Sequence, residues 1–585
     1  MTGHRFSAEP SGDGVTFNLW APAADTVDVV IRERATAMDR SDHGWFRLHV
    51  QEAGPGTLYH FRIDNEVDVP DPASRFQPTD VAGPSEVIDH CSYKWRSREW
   101  RGRPWAEAVF LECHVGTFTN QGTYLAMIDK LDHLAATGIT ALELMPIADF
   151  PGRWNWGYDG VLWYAPDSTY GRPDDLKTLI DEAHLRGLMV FLDVVYNHFG
   201  PEGNYLSRYA PTFFSSSQTP WGNAIDYRQR EVRQFAIENA LHWIKDYRFD
   251  GLRLDAVDAL TEPGEPHLLN SLSSAVGDFA KMNGRHVHLV LENDDNIAGL
   301  LNPSTDPPRG QYRAQWNDDY HHGWHVLVTG ETHGYYSDYL EPEKTLIRSL
   351  GSGFAYQGEA SVHRNGVPRG ESSGHLSPLA FVNFLQNHDQ IGNRALGDRL
   401  GMGANPRTIE AALAITLLCP MPPLMFMGEE WGATSPFPFF CDFSGHLADA
   451  VRRGRREEFQ AAYEQYGDEI PDPLDEMTFK SARLDWSLAT EPAGKDRLQL
   501  VRRLLAVRHA EVIPHLAHCQ FDHASINQHL LVAQWRLGGG KLLCLTANLS
   551  DEVIASPTSI TGRTIWGKIE QRRLLPWNVV WWVRG

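Results

Sequence analysis

The stretch DDLKTLIDEAHLRGLMVFLDVVYNH at residues 174–198 decides the fold class, because it contains one helix and one strand in direct succession. Apolar residues at 176, 179, 180 and 183 repeat with the period of an amphipathic helix, Asp174 is a suitable N-cap, and Gly187 ends the helix. The strand at 189–195 follows at once and ends in polar residues. This succession is typical of a parallel sheet with crossover helices.

The same alternation extends outward from this stretch in both directions. The first strand, at 108–111, is followed by an amphipathic helix that Gly138 ends and by a strand at 139–145. Further strands lie at 249–255, 287–292, 380–386 and 424–428. We predict a central (β/α)₈ TIM barrel, which takes about 250 residues and tolerates insertions. A doubly wound open sheet is the alternative, but no GxGxxG motif follows the first strand.

Short β-rich segments precede and follow the predicted barrel. At the N-terminus they alternate with Gly, Pro and Asp clusters at the spacing of an immunoglobulin-like β-sandwich, which we place at residues 1–95. The proline-rich segment at 68–78 is expected to run as an extended connector. Apolar runs between 529 and 583 predict a C-terminal antiparallel β-domain at 501–585. The chain is therefore expected to be a multidomain α/β protein, with the barrel and its short insertions at 96–500.

Composition excludes several classes of partner. The 585 residues include 53 Lys and Arg against 75 Asp and Glu, a formal net charge of −22 that would repel nucleic acid. The six cysteines form no CxxC pair, as expected for reduced thiols. The first residues lack the basic start and apolar run of a signal peptide, and no apolar stretch is long enough to cross a membrane. We predict a soluble, cytoplasmic protein with no nucleic-acid or membrane partner.

Four predicted strands end in polar side chains that a barrel core would not accept. A single carboxylate at such a position could simply cap the following helix. Active sites of barrel enzymes, however, collect where the strands end at the carboxyl-terminal rim. Four strand ends with the same character therefore favour a site over four caps. The residues concerned are Asp193 with Asn197 and His198, Arg253 with Asp255, Glu292, and His388 with Asp389.

This set of carboxylates suits the cleavage of a glycosidic bond. That reaction needs an acid to protonate the leaving oxygen and a carboxylate on the other face of the sugar, and a third negative charge can stabilise the oxocarbenium-like transition state. Arg253 lies two residues before Asp255, so on a strand both side chains point the same way. The guanidinium would keep Asp255 ionised and ready as nucleophile. Glu292 would need a raised pKa to act as the acid.

The motifs DVVYNH (193–198), GLRLDAVD (251–258), Glu292 on its strand and FLQNHDQ (384–390) resemble those of the α-amylase superfamily, glycoside hydrolase family 13, in the same order. WGYDG at 156–160 matches as well. The resemblance implies a retaining hydrolase without a cofactor. It implies Asp255 as nucleophile, Glu292 as general acid/base and Asp389 as transition-state stabiliser. The substrate contacts it implies are Tyr158, His198, Arg253, Asp258, His388 and Gln390.

Other segments are similar to narrower branches of this superfamily. FNLWAPAADTVDVVI (17–31) resembles the carbohydrate-binding sandwich that precedes the barrel in branching and debranching members. LENDDN (291–296), QWNDDYHHGWHVLVTGE (315–331), GYYSDY (334–339) and MGEEWGATSPFPFFCDF (427–443) resemble a hydrolytic branch that cuts the α-1,4 bond next to a trehalose end. This second resemblance implies maltooligosyltrehalose and related α-1,4-glucan oligosaccharides as substrates. It also implies substrate contacts from Asn317, Asp318, Asp319 and His321.

A metal site is not expected. The adjacent His321 and His322 lack ligand spacings such as HExxH, and the segment between 197 and 221 is short compared with the inserted domain of many amylases. Two other functions stay open at this stage. The first is a 1,4-α-glucan branching enzyme, which shares the sandwich, the barrel and the three carboxylates. The second is a non-catalytic glucan-binding protein on the same fold.

Overall fold

The computed structural model describes residues 6–219, 221–260, 267–301, 312–556 and 561–585. At its centre, eight parallel strands close into a barrel, as predicted. The register pairs Phe110 with Ala141 on one side and with Leu424 on the other, which closes the ring. The barrel strands are Phe110–Cys113, Ala141–Leu144, Met189–Val194, Gly251–Leu254, His288–Leu291, Ala314–Trp316, Phe381–Phe384 and Pro423–Phe426.

All residues of these strands are buried, because helices cover the outer face and side chains fill the inside. Phe110, Phe191, Trp316 and Phe384 belong to the cluster that fills the barrel. No helix within the described ranges is long and apolar enough to span a membrane. The main helices around the barrel are Tyr124–Ile128, Leu131–Thr137, Pro173–Leu185, Arg230–Asp246, His267–Asn283, Asp318–Thr329, Pro342–Ser352, Pro406–Leu418 and Pro492–Val507.

The N-terminal region forms a β-sandwich, as predicted. One sheet contains Ser7–Ser11, Gly14–Trp20, Trp45–Val50 and Asp39–Arg40, and the other contains Arg34–Ala37, Val27–Ile31, Leu58–Ile63, Val67–Val69 and Ser85–Glu86. Alternate residues such as Phe17, Val29, Tyr59 and Phe61 are buried between the sheets. The connector that follows contains no helix between 70 and 104.

A five-stranded antiparallel sheet closes the chain, also as predicted. Its strands are Gln520–Asn527, Leu530–Arg536, Leu542–Asn548, Val579–Arg584 and Arg563–Trp566. The stacked indoles of Trp535 and Trp581 attach this sheet to the barrel. Trp581 Nε1 donates to the Ala414 carbonyl and Trp535 Nε1 to the Leu350 carbonyl, both at 3.0 Å.

The domain boundary predicted at 500/501 falls inside the helix Pro492–Val507. This helix buries Val501, Leu504 and Leu505, and it packs against the barrel helices Leu131–Thr137 and Pro406–Leu418. Its apolar face therefore belongs to the barrel, and the antiparallel sheet begins only at Gln520. The domain boundary at 95/96 stays a prediction, and so does the exact position at which the barrel ends and the C-terminal domain begins.

Candidate active site

The carboxyl ends of the barrel strands bring the three predicted catalytic acids together. Asp255 directly follows the strand Gly251–Leu254, and Glu292 directly follows His288–Leu291. Asp389 lies in the first turn of the short helix His388–Gly392, whose N-cap Asn387 accepts hydrogen bonds from the backbone N–H groups of Asp389 and Gln390. Glu292 and Asp389 line one cavity of about 270 Å³.

The buried guanidinium of Arg253 connects the acids. Its Nη1 donates to Asp193 Oδ2 at 2.7 Å and to Asp255 Oδ1 at 2.8 Å. Its Nη2 lies 2.7 Å from Glu292 Oε2. The planar group packs on the Trp316 ring, with Cζ 4.2 Å from the ring centroid. Because a guanidinium is rigid and always charged, these contacts fix the nucleophile candidate and the acid candidate relative to each other.

Asp255 is held in its ionised form. Asn197 Nδ2 donates to Asp255 Oδ2 at 2.7 Å, so each carboxylate oxygen accepts one hydrogen bond. Burial raises the pKa of Asp255, but the charge of Arg253 and the hydrogen bond from Asn197 outweigh it, and the net pKa lies below the ordinary value. An ionised carboxylate is what a nucleophile requires.

The pKa of Glu292 is shifted in the opposite direction to that of Asp255. Burial raises its pKa well above the ordinary value, and the charges of Asp255, Asp389 and Asp318 add to the effect, although Arg253 lowers it. Glu292 Oε2 also accepts the backbone N–H of Ala256 at 2.9 Å. A carboxyl that keeps its proton near neutral pH can act as general acid. The two acids are therefore tuned in opposite directions by their surroundings.

Asp389 completes the group. Asn393 Nδ2 donates to Asp389 Oδ1 at 2.7 Å from one helical turn further on. Burial raises the pKa of Asp389 above its ordinary value, while His388 and Arg253 lower it and Asp255 and Glu112 raise it. The site thus concentrates negative charge where positive charge would develop on a reacting sugar.

Tyr158 and His388 form one wall of the site. Their rings stack with centroids 5.1 Å apart, and the Tyr158 hydroxyl donates to Asp193 Oδ2 at 2.7 Å. On the other side, His198 bonds the Tyr158 carbonyl through Nε2 at 2.8 Å and stacks on the half-exposed Trp221, with centroids 4.2 Å apart. Trp221 was not predicted, because it lies 23 residues after the end of the DVVYNH motif, in a segment without a strand-end signal.

Asp258, Asp318 and Gln390 line the 270 Å³ cavity together with Glu292 and Asp389. Burial and the charges of Asp294 and Asp389 raise the pKa of Asp318 to about 7. The other residues that line this cavity were not predicted as substrate contacts, although several lie in the quoted segments 291–296, 315–331 and 334–339, and most follow the sixth strand. The additional lining residues are Ala256, Asp294, His322, Tyr335, Asp338, Tyr339, His363, Arg364 and Arg369.

Three predicted substrate contacts lie behind the cavity wall instead of in it. Asn317 Nδ2 donates to Asn383 Oδ1 at 2.9 Å, and His321 bonds the Leu385 carbonyl and the Tyr336 hydroxyl. Asp319 accepts hydrogen bonds from backbone and side-chain donors, among them Tyr339 and Arg369. All three side chains are almost completely buried, and their bonds to protein position the wall. The structure therefore does not bring Asn317, Asp319 or His321 into the cavity.

Two further features lie away from this site. A cavity of about 830 Å³ is lined by His288, at the start of its strand, and so lies at the amino-terminal end of the barrel. Within the described part of the chain, His90, His242 and Asp246 have a spacing that could hold a metal ion. Burial lowers the pKa of His90, and the charges of His242, Lys177 and Arg75 contribute to this, so that neighbouring positive charge opposes a cation there.

The barrel, the sandwich in front of it and the three converging carboxylates define a glycoside hydrolase of the α-amylase superfamily. Residues 75–221 match the family model "Alpha amylase, catalytic domain", residues 5–76 match "Carbohydrate-binding module 48 (Isoamylase N-terminal domain)", and residues 522–581 match a domain of unknown function. The predicted fold class and superfamily are thereby confirmed.

Within the superfamily, similar proteins identify the family. The malto-oligosyltrehalose trehalohydrolase of Deinococcus radiodurans is 41% identical over 86% of this chain and 83% of its own length. That of Mycobacterium tuberculosis is 38% identical over 93% of this chain and 94% of its own. A crystal structure of a Salmonella typhimurium protein assigned to the alpha amylases has a TM-score of 0.93, 42% identity and 99% coverage of both chains. The chain belongs to the malto-oligosyltrehalose trehalohydrolase family.

Proposed function

We propose that this protein hydrolyses the α-1,4-glucosidic bond next to the terminal trehalose unit of maltooligosyltrehalose, with retention of configuration, and releases trehalose and a maltooligosaccharide. Family membership supports the substrate, because near full-length relatives carry this activity in their names. The observation that carries the chemistry is the single guanidinium of Arg253, which contacts both Asp255, whose pKa is lowered, and Glu292, whose pKa is raised.

In the first step, the glucose unit before the scissile bond stacks on Tyr158, between the two acids. Glu292 gives its proton to the glucosidic oxygen while an ionised Asp255 oxygen attacks the anomeric carbon. The leaving group takes the proton and the glucosyl unit becomes covalently attached to Asp255. Asp389 stabilises the positive charge that develops on the ring in the transition state.

In the second step, the ionised Glu292 removes a proton from water, which attacks the anomeric carbon and releases Asp255. Two inversions give net retention, and the chemistry requires carboxyl groups about 5–5.5 Å apart. The leaving sugar occupies the cavity that Asp258, Asp318 and Gln390 line. The segment after the sixth strand forms one wall of this cavity. Trehalose as the leaving sugar is the proposal that the family relatives support.

The proposed function is tested by incubating the protein with maltotriosyltrehalose and measuring free trehalose and maltotriose by chromatography. We expect equal amounts of both products. Asp255→Asn should lower kcat by roughly 10⁴-fold or more, since the nucleophile is lost. Asp475→Asn is the matched control, because Asp475 is an exposed helix N-cap outside the site, and this variant should keep full activity.

The branching enzyme is the second candidate. It would transfer the glycosyl group to another sugar, leave no free trehalose and create α-1,6 linkages, which proton NMR detects. A non-catalytic protein would bind the sugar without releasing either product. Either result would contradict the proposed function.

A further inference from the structure

Glu112 is a buried carboxylate beside the site to which neither the motifs nor the proposed mechanism gives a role. It lies in the first barrel strand, Phe110–Cys113, and is 1% exposed. Both of its oxygens face one residue. Oε1 is 2.5 Å from His388 Nδ1, and Oε2 accepts the backbone N–H of His388 at 3.0 Å. The carboxylate therefore fixes both the ring and the main chain of His388.

The second ring nitrogen of His388 faces another fixed group. Nε2 is 2.9 Å from the Tyr158 hydroxyl, whose single proton is donated to Asp193 Oδ2 at 2.7 Å. Arg253 also donates to Asp193 Oδ2 and its charge lowers the pKa of Asp193, which burial raises to about 6, so at pH 7 the ionised carboxylate accepts the Tyr158 proton. The Tyr158 oxygen must then accept, and His388 Nε2 must carry a proton.

Nδ1 must also carry a proton, because it faces a carboxylate oxygen, which accepts hydrogen bonds. We propose that His388 functions as an imidazolium cation and that Glu112 is the positioning residue that keeps it in this state for the reaction. The catalytic part of this inference rests on the proposed function, whereas the protonation state rests on the hydrogen-bond geometry alone.

Charged groups from several barrel strands and strand ends lie around His388. Burial lowers the pKa of His388, but Glu112 and Asp389 raise it, and the net pKa lies above the ordinary value although Arg253 lowers it. The titratable and charged groups that face this cluster are Glu112 and His114 from the first strand and its end, Glu143 from the second, Tyr158, Asp193, Arg253 and Asp389.

The imidazolium has two effects on the reacting groups. Its charge is the largest influence that lowers the pKa of Asp389 and so favours the ionised stabiliser. Its proton on Nε2 orients the Tyr158 hydroxyl toward Asp193, which shares the Nη1 donor of Arg253 with Asp255. A continuous chain of hydrogen bonds thus runs from Glu112 to the nucleophile.

Glu143 provides a matched control variant. It is the register partner of Glu112 on the neighbouring strand and is equally buried, at 1% exposure. Neither of its oxygens has a hydrogen-bond partner among the described residues, and burial raises its pKa well above the ordinary value, which favours its neutral form. Glu143→Gln therefore replaces one buried neutral group with another, whereas Glu112→Gln removes the charge that holds His388.

The first experiment compares the pH dependence of kcat/KM for the two variants. In Glu112→Gln the pKa of His388 falls, so His388 loses its proton at a lower pH. The alkaline limb of the kcat/KM profile therefore moves to lower pH. At the pH of the acidic limb His388 is still protonated, and Asp389 loses the charge of Glu112, which raises its pKa, so the acidic limb also moves to lower pH. We expect this shift of both limbs to lower pH together with a roughly 10- to 100-fold lower maximum. Glu143→Gln should keep both limbs. Unmoved limbs in Glu112→Gln would overturn the proposal, and Glu112→Asp replaces that variant if it fails to fold.

The second experiment needs no variant and no activity. Neutron diffraction from a deuterium-exchanged crystal of the protein at pH 7 shows directly which ring nitrogens of His388 carry deuterium. We expect deuterium on both Nδ1 and Nε2, and deuterium on only one of them would overturn the proposal. This result does not depend on which glucosidic bond is cut, so it separates a failure of the inference from a failure of the proposed function.

Discussion

Replacing Arg253 by lysine keeps the positive charge but removes the shape that joins the acids. An ammonium places its donors at one point, whereas the guanidinium contacts Asp193 and Asp255 through Nη1 and Glu292 through Nη2. The lysine side chain is also shorter. We expect it to reach one of these three carboxyl groups and to leave the other two without a contact to a cation.

The magnitude follows from the two carboxylates that the ammonium cannot reach. A hydrogen bond to a charged group contributes about 1.5–3 kcal/mol. Losing two charged contacts of this strength at the reacting centre should therefore lower kcat/KM by roughly 10²- to 10⁴-fold, since about 1.4 kcal/mol corresponds to a factor of ten. Arg253 is also the largest influence that lowers the pKa of Asp255 against the effect of burial. The acidic limb of the pH profile should accordingly move to higher pH in Arg253→Lys.

The assay is trehalose release from maltotriosyltrehalose at a series of pH values. Arg508→Lys is the matched control, because Arg508 is equally buried but donates only to main-chain carbonyls, those of Leu417, Cys419 and Met421 among them. That variant should lose stability and keep the pH profile of kcat/KM. The reasoning would be refuted if Arg253→Lys kept kcat/KM within threefold of the parent and left the acidic limb in place.

Three further changes have defined outcomes. Tyr158→Phe keeps the stacking ring but loses the hydroxyl between His388 and Asp193, and kcat should fall roughly 10-fold with little change in thermal unfolding; unchanged kcat would contradict a role for the hydroxyl. Asp318→Asn removes a charge that raises the pKa of Glu292, so the alkaline limb of kcat should move to lower pH, and a shift to higher pH would contradict the electrostatics. Asp250→Asn removes a buried carboxylate that accepts a hydrogen bond from His184 at 2.9 Å and lies 3.6 Å from the guanidinium of Arg285, and it should cost about 3–5 kcal/mol in urea unfolding at pH 7. Burial raises the pKa of Asp250, but His184, Arg285 and the backbone N–H of Val190 lower it and the net pKa lies below the ordinary value, so the stabilisation should disappear as pH falls through the lowered folded-state pKa; a pH-independent cost would argue against an ionised Asp250.

The barrel could be predicted because its strands are apolar on both faces and each is followed by a helix with clear start and stop residues. The strand at 189–195 shows this best, since the structure places Met189–Val194 in the barrel. The sixth strand, Ala314–Trp316, was missed. It is three residues long and contains Gln315, so it carries neither the length nor the apolar run that indicates a strand.

The site was predictable where function requires a polar residue at a strand end, as at Asp255 and Glu292. It was not predictable where partners come from distant segments. Asp319 looked like a substrate contact, but Arg369, 50 residues further along, binds it behind the cavity. Glu112 escaped notice because an isolated glutamate within an apolar strand carries no local sign of its partner, which lies 276 residues away in His388.

The central claim is that Asp255, Glu292 and Asp389 act on one glucose ring, with Asp255 as the nucleophile. The most direct measurement is to trap the covalent intermediate with a fluorinated α-glucosyl fluoride, whose fluorine slows hydrolysis of the adduct, and to locate the label by mass spectrometry of proteolytic peptides. We expect one glucosyl adduct on Asp255 and none in Asp255→Asn. An adduct on another residue, or a first-formed product with inverted anomeric configuration by NMR, would contradict the claim.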